Sequence, residues 1–159
     1  MLKTIRVNKV IATGGVNSAA DVISNNTSAG IATAWEFSRC PEEGYIVRAI
    51  VAVKTTSLTS NLTLYLFKAL PTCELRDNVA NTAVLNADKD NYIGRIDFPS
   101  LDSQGGVSEA IAVPSSSGNL PLAIRPDNST NSIWGVLVSR TACTVTSGDD
   151  INISLMIDS

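Results

Sequence analysis

The chain has 159 residues and a mass of 16.8 kDa, so one ordinary domain can bury a core without help from a metal or a disulfide. Its net charge is −3 and its basic residues are scattered between Lys3 and Arg140, which argues against nucleic acid as a partner. Charged residues make up only 17% of the chain. Such a surface is typical of a protein that lies against other protein, or of exposed strands that carry Thr and Ser for their β propensity.

The first seven residues do not resemble a secretion signal. Lys3 and Arg6 interrupt what would be its apolar segment, and no run of the chain approaches the ~18 apolar residues of a membrane span. We therefore expect a protein that is made in the cytoplasm and does not associate with a membrane.

The first three predicted strands are short, and turn-forming residues such as Gly14-Gly15 separate them; they cover 3–12, 19–24 and 31–39. The next predicted strand, 44–56, is longer and rich in β-branched residues. It is apolar on both faces apart from Arg48.

The run 61–68 predicts a central strand. Leu62, Leu64 and Leu66 share one face, while Tyr65 and Phe67 make the opposite face apolar too. Both faces are therefore expected to be covered, the second by another layer or another subunit. After it, a short helix is predicted over 77–88, where Asp77 or Asn78 could act as the N-cap.

Five further runs complete the pattern: 92–98, 107–113, 120–125, 132–139 and 151–157. The last alternates clearly, with Ile151, Ile153, Leu155 and Ile157 on one face. We expect 44–56, 61–68, 132–139 and 151–157 to form the heart of the fold. The spacing between strands predicts an all-β antiparallel sandwich with one short helix, in a single domain spanning 1–159.

Residue types common in catalytic sites are missing. The chain has no histidine, which excludes every Ser–His and Cys–His nucleophile pair, and it has no nucleophile elbow, phosphate loop or dinucleotide fingerprint. Fifteen acidic residues leave a carboxylate-pair hydrolase open. Its closest pairs, Glu42-Glu43 and Asp149-Asp150, lie in predicted turns, so we expect no enzyme and no cofactor.

The pattern of possible metal ligands is also weak. Residues 88–91 offer oxygen atoms but lack the glycine and the distal glutamate of an EF-hand loop, so no metal site is predicted. Cys40, Cys73 and Cys143 are too few and too far apart for a zinc site. We expect ordinary thiols, although an odd number allows one internal disulfide or one bond between subunits.

The chain has eight aromatic residues, and most of them, including Trp134, fall within predicted strands where core packing is expected. Trp35 and Tyr45 remain as candidates for exposed positions. Either could form a platform for a sugar or anchor a protein interface.

The order of several short motifs resembles that of small β-rich virion proteins of tailed bacteriophages, in particular head decoration or cement proteins. The motifs are Asp21-Val22-Ile23-Ser24-Asn25, Ser28-Ala29, Leu64-Tyr65-Leu66-Phe67, Pro71, Asp77-Asn78, Ala87-Asp88, Tyr92-Ile93-Gly94, Ile96-Asp97-Phe98, Trp134-Gly135-Val136-Leu137-Val138 and Ser147-Gly148-Asp149. The three cysteines depart from this group and could mark cross-links between subunits.

This resemblance implies a jelly-roll-like module that is made in the host cytoplasm and decorates the outer surface of a phage capsid. It would reinforce the joints between major capsid protein subunits, often as a homotrimer, so its partners would be its own copies and the major capsid protein. The alternative is a receptor- or glycan-binding module of a tail fibre or tail base, with Trp35 and Tyr45 as its contact residues.

Residues 1–8 are a candidate interface arm. Leu2, Ile5 and Val7 alternate with the basic residues Lys3 and Arg6, a pattern that suits addition to the sheet edge of a neighbouring subunit. The same pattern suits an edge strand of the chain's own sandwich.

Overall fold

A computed structural model describes residues 1–11 and 15–159, and nearly all of their regular structure is β. One short 3-10 helix, Lys89–Asn91, interrupts the strands. The strands are β1 (Leu2–Val10), β2 (Gly15–Asn17), β3 (Val22–Ile23), β4 (Trp35–Phe37), β5 (Gly44–Val53), β6 (Leu62–Phe67), β7 (Tyr92–Asp97), β8 (Asp102–Ser103), β9 (Ser108–Ala112), β10 (Leu122–Ile124), β11 (Ile133–Ser139), β12 (Cys143–Val145) and β13 (Asp150–Asp158).

Two antiparallel sheets form the sandwich. The six-stranded sheet has the order β1-β13-β5-β9-β8, with β10 also paired to β5, and the five-stranded sheet has the order β3-β11-β6-β7, with β4 also paired to β11. A small separate sheet pairs β12 with β2. The all-β antiparallel sandwich is therefore confirmed. The jelly-roll-like connection stays a prediction, with which this strand order is compatible.

The main core lies between the two sheets, because alternating residues of the central strands point inward. Val51 and Leu155 from one sheet meet Leu64 and Leu137 from the other, and all four are fully buried. The close approach of β4, β6 and β11 depends on Gly135, where an added Cβ would lie 2.8 Å from Leu64 Cδ1. The four runs expected at the heart of the fold do occupy β5, β6, β11 and β13.

A second apolar cluster lies on the outer face of the five-stranded sheet. Tyr65 and Phe67 of β6 pack there beside Val136 and Val138 of β11, and residues 69–91 cross over them. We call residues 69–91 the covering segment; it contributes Cys73, Leu75, Ala83 and Leu85 to this cluster. The second layer expected over 61–68 is thus supplied by the same chain.

The helix predicted over 77–88 is wrong, because the backbone of the covering segment bonds to a different part of the chain. The backbone N–H groups of Asp77, Asn78 and Asn81 donate to the carbonyl oxygens of Asn26, Val22 and Ala20 respectively. Asn78 has a φ of 60°, in the left-handed region that Asn tolerates. Asn and Asp side chains compete with a helix in this way by favouring turns.

β1 is an outer strand, and among the described strands it pairs with β13 alone. Two lysines on the inward side of β1 form hydrogen bonds to residues that flank β4. Lys3 Nζ donates to the carbonyl of Arg39, and Lys9 Nζ donates to the carbonyl and hydroxyl of Thr33. Inward-pointing lysines are a recognised way to prevent another strand from adding to a sheet edge.

Each of the ten predicted strands overlaps an observed one, and Ala12 and the turn at Gly14 lie outside the described residues. Three strands of two or three residues were not predicted: β2, β8 and β12. Segments this short are too brief to show a period of two residues.

Candidate functional site

The outer face of the six-stranded sheet is the first of two candidate binding surfaces. We call it the open face and define it by the outward residues of β1, β5, β9 and β13, which the strand register places side by side. None of these side chains is buried. They are Leu2, Thr4, Arg6, Asn8, Val10, Tyr45, Arg48, Ile50, Ala52, Glu109, Ile111, Asp150, Asn152, Ser154, Met156 and Asp158.

The open face contains a small apolar centre. Ile50 lies between Ser154 and Ile111 in the strand register, and Met156 lies one position along β13 from Ser154 on the same face. The charges of the open face come from Arg6, Arg48, Glu109, Asp150 and Asp158. The row of Ser154, Ile50 and Ile111 carries no charge, and depletion of charge at the centre of a patch is a compositional feature that protein interfaces share.

The candidate interface residues divide between the two sides of β1. Leu2 and Arg6 point outward onto the open face, as does Tyr45 of β5, which is 56% exposed. Lys3, Ile5 and Val7 share the inward side, and Ile5 is buried in the main core. Residues 1–8 thus form part of an edge strand of the chain's own sandwich, and deleting them would remove the partner of β13.

Trp35 requires a correction, since it is 1% exposed and cannot act as a platform or anchor on the surface of the folded protein. In β4 the pleat turns Trp35 and Phe37 inward and Glu36 outward. The indole Nε1 of Trp35 donates to the carbonyl of Ile23 at 3.3 Å. Lys9 Nζ lies 5.6 Å from the centre of the Trp35 ring, and burial lowers the pKa of Lys9 to about 8.

Core packing was expected for Trp134, but the structure leaves its side chain partly exposed. It lies on the outer face of the five-stranded sheet, opposite Glu36 on one neighbouring strand and Phe67 on the other. The covering segment buries Phe67 but leaves Trp134 half-exposed. Sequence alone gave no signal for this, because Trp134 shares its strand parity with the buried residues Val136 and Val138.

Trp134 lines the second candidate surface, a cleft of about 920 Å³ that we call the Trp134 cleft. Residues of the stretch 29–36 form one wall, and residues of the stretch 70–85 in the covering segment form the other. Leu70, which is 60% exposed, stands at its border. The cleft therefore combines an aromatic ring with polar groups from two loops.

An ion pair on the wall of the cleft is held in a fixed geometry. The Arg76 guanidinium donates to both carboxylate oxygens of Glu74, at 2.8 and 2.7 Å, and the backbone N–H groups of Leu75 and Arg76 also donate to this carboxylate. These bonds lower the pKa of Glu74 to about 2, with the Arg76 side chain as the main cause. A general acid needs a raised pKa, so Glu74 is unsuited to that role.

Glu36 supplies a second carboxylate to the cleft. Its Oε1 accepts a hydrogen bond of 3.0 Å from the Ser132 hydroxyl, which itself lies 2.8 Å from the Thr130 hydroxyl. The side chain of Asn128 accepts hydrogen bonds from the backbone N–H groups of Thr130 and Ser132 and so orders this turn. The carboxylate of Glu36 is thus oriented by a hydrogen bond from the loop before β11.

The three cysteines are buried free thiols. Burial raises the pKa of Cys40 to about 11 and that of Cys73 to about 12, with the nearby Asp88 carboxylate as a further cause at Cys73. Burial also raises the pKa of Cys143. A buried thiol with a raised pKa reacts slowly, so none of the three is placed to form a bond between folded subunits.

The acidic segment 88–91 uses its first carboxylate for structure. Asp88 is 3% exposed; its Oδ1 accepts hydrogen bonds from the backbone N–H and the hydroxyl of Thr72, and its Oδ2 accepts one from the N–H of Cys73. Both oxygens therefore face donors, the opposite of what a cation requires. Within the described residues, no group of three or more Asp, Glu, Cys or His side chains could hold a metal ion.

Comparison with known proteins identifies no relative: no family model matches the chain, and no curated protein matches it. In the described part of the chain, no helix has the length and apolar character needed to cross a membrane.

Proposed function

We propose that this chain is a non-enzymatic structural protein of a phage virion, which binds the outer surface of the capsid and stabilises it. The observation that carries this proposal is the contrast between the two outer sheet faces. The covering segment buries one of them, whereas the open face presents unburied, partly apolar strands. The resemblance of its motif order to that of head decoration proteins supports the same role.

The proposed partners are the major capsid protein and two further copies of this chain in a homotrimer. A protein that binds the assembled shell but not its dissociated subunits stabilises the shell by mass action. When the free concentration of the binding protein is 100 times its Kd, each occupied site stabilises the shell by about 2.7 kcal/mol. A capsid carries many such sites, so modest affinity at each is sufficient.

The open face suits this role because it is broad and lacks a single anchoring pocket. Ile50, Ile111 and Met156 would form the dry centre of the contact, with Arg48 beside Met156 and with Arg6 and Glu109 on the flanking strands. An apolar centre inside a polar rim is the arrangement of stable interfaces. β1 itself is a poor site for strand addition, since Lys3 and Lys9 block its edge.

The test is co-sedimentation with heads of the encoding phage from which this chain has been removed. Wild-type protein is expected to sediment with the heads. Ile50→Lys should weaken that binding at least about tenfold, because it places a charge at the dry centre of the contact. Val16→Lys is the matched control: Val16 is 60% exposed and lies on the small β2–β12 sheet, so this variant should bind like the wild type.

Failure of the wild-type protein to bind such heads would end the decoration proposal and favour a location in the tail. Equal binding of Ile50→Lys and wild type would exclude the open face as the contact. Light scattering gives the oligomeric state, where a trimer has three times the chain mass of 16.8 kDa. Because the thiols are buried, that mass should not change with reductant.

A further inference from the structure

The Trp134 cleft lies on the sheet opposite the open face and has no part in the contact proposed above. We infer that it is a binding site for a short, neutral oligosaccharide. The inference depends on three properties of the cleft: an aromatic ring on its floor, polar groups that are fixed before a ligand arrives, and a charge balance that disfavours anions.

The aromatic ring is held by its neighbours on the sheet. Trp134 lies between Glu36 and Phe67 in the strand register, and Phe67 is itself fixed by Tyr92, with ring centres 5.6 Å apart. One part of the indole is therefore packed, and the remainder faces the cleft. No hydrogen bond joins the Trp134 Nε1–H to any described residue, so it remains available to a ligand. A flat apolar surface beside a free donor suits the C–H face of a sugar ring.

The polar groups around Trp134 are ordered by other parts of the chain. Glu36 is fixed by Ser132, and Arg76 is fixed by its two bonds to Glu74. Thr82 Oγ1 accepts a hydrogen bond from the backbone N–H of Glu74, which leaves its hydroxyl proton free to be donated. Sugar hydroxyl groups both donate and accept, and a site with fixed donors and acceptors of both kinds pays little ordering cost to bind them.

The charges of the cleft exclude the most obvious alternative, a phosphate or carboxylate ligand. Glu36 and Glu74 contribute two negative charges against the single positive charge of Arg76, which already makes two bonds to Glu74. An anion would be repelled by Glu36 and would have to compete with Glu74 for the guanidinium group.

The size of the cleft also fits a short oligosaccharide. Its volume of about 920 Å³ lies near the top of the range for small-molecule sites, roughly 300–1,000 Å³, and exceeds the needs of one sugar ring. The stretches 29–36 and 70–85 form the two walls of the cleft, and successive sugar rings could bind along them.

The experiment is saturation-transfer NMR on the full chain with three probes: tetra-N-acetylchitotetraose, maltotetraose and the anionic tetragalacturonic acid. At least one neutral tetrasaccharide is expected to receive saturation and to change the fluorescence of Trp134. Trp134→Ala should weaken that binding at least about tenfold, since it removes the stacking surface. Trp134→Phe should lose less, because part of that surface is retained, and its spectrum identifies the remaining signal of Trp35.

Tyr45→Ala is the matched control. It removes an exposed aromatic residue from the open face, outside the cleft, and should leave saccharide binding unchanged. Thermal unfolding of each variant shows whether it is folded. The inference is overturned if neither neutral tetrasaccharide binds, if folded Trp134→Ala binds as well as the wild type, or if tetragalacturonic acid binds better than the neutral probes.

Discussion

The outer faces of the two sheets differ in burial. On the five-stranded sheet the outward residues Thr63, Tyr65, Phe67, Val136 and Val138 are all buried, whereas no outward residue of the defined open face is. The covered face is β-branched and aromatic in the sequence, whereas the open face carries polar residues such as Asn152 and Ser154 among its aliphatic ones. Residues 69–91 cross the first face and leave the second available to a partner.

The largest effect should come from a matched pair of substitutions, one on each face. Phe67→Ala removes a fully buried ring from the covered face and should lower the free energy of unfolding by about 3–5 kcal/mol. Met156→Ala, at a half-buried position on the open face, should cost about 1 kcal/mol or less. Urea denaturation of the two variants measures both values. Equal losses would mean that the two faces are not distinct.

A smaller loss of stability is expected when a hydrogen bond acceptor within the covering segment is removed. Asp88→Ala removes the acceptor of three hydrogen bonds from Thr72 and Cys73 and leaves the buried N–H of Cys73 unpaired, at a cost of about 1–3 kcal/mol. Hydrogen exchange should show that amide protection falls in residues 69–91 and is retained in β13. Asp88→Asn keeps the shape and one acceptor oxygen, so it should lose less. If amide protection falls equally in both regions, the hydrogen bonds of Asp88 do not stabilise the covering segment separately from the sheets.

The smallest effect is pH-dependent and comes from Glu74. Its pKa is about 2 in the folded protein and higher when unfolded, so the pair with Arg76 stabilises the fold above about pH 4.5 and loses that contribution as the pH falls toward 2. Because Arg76 is 41% exposed and screened by solvent, the contribution should be small.

Glu74→Gln should remove this part of the acid dependence. Urea denaturation of wild type and variant, at pH values above and below the interval, gives the difference between them. Arg76→Lys keeps the positive charge but loses the two-bond geometry, and should give an intermediate value. If wild type and Glu74→Gln show the same acid dependence, the pair does not fasten the covering segment.

The sequence was sufficient to predict the sandwich, because strands such as 61–68 and 151–157 carry a clear period of two residues. It was not sufficient to predict the covering segment. Residues 77–88 have the length and spacing of a short helix, but their N–H groups bond to residues 20–26, which are distant in sequence. Local pattern contains no information about such a partner.

The exposed tryptophan could not be predicted for a related reason. Alternation establishes that Trp35 and Phe37 share a face, as do Trp134 and Val136, but it does not tell which face the chain covers later. Trp35 points into the core, and Trp134 lies where the covering segment leaves a gap. Of the residues predicted to form an interface, Leu2, Arg6 and Tyr45 lie on the open face, and their role in a contact stays a prediction.

The pairing of β1 with β13 also has a consequence for the synthesis of this protein. Residues 2–10 bond in continuous register to residues 150–158, so β1 has no partner strand until β13 has been made. Folds dominated by such distant pairings fold slowly, typically in milliseconds to seconds, and their strand edges stay exposed meanwhile. The six-stranded sheet, and with it the open face, can therefore close only when residues 150–158 have left the ribosome.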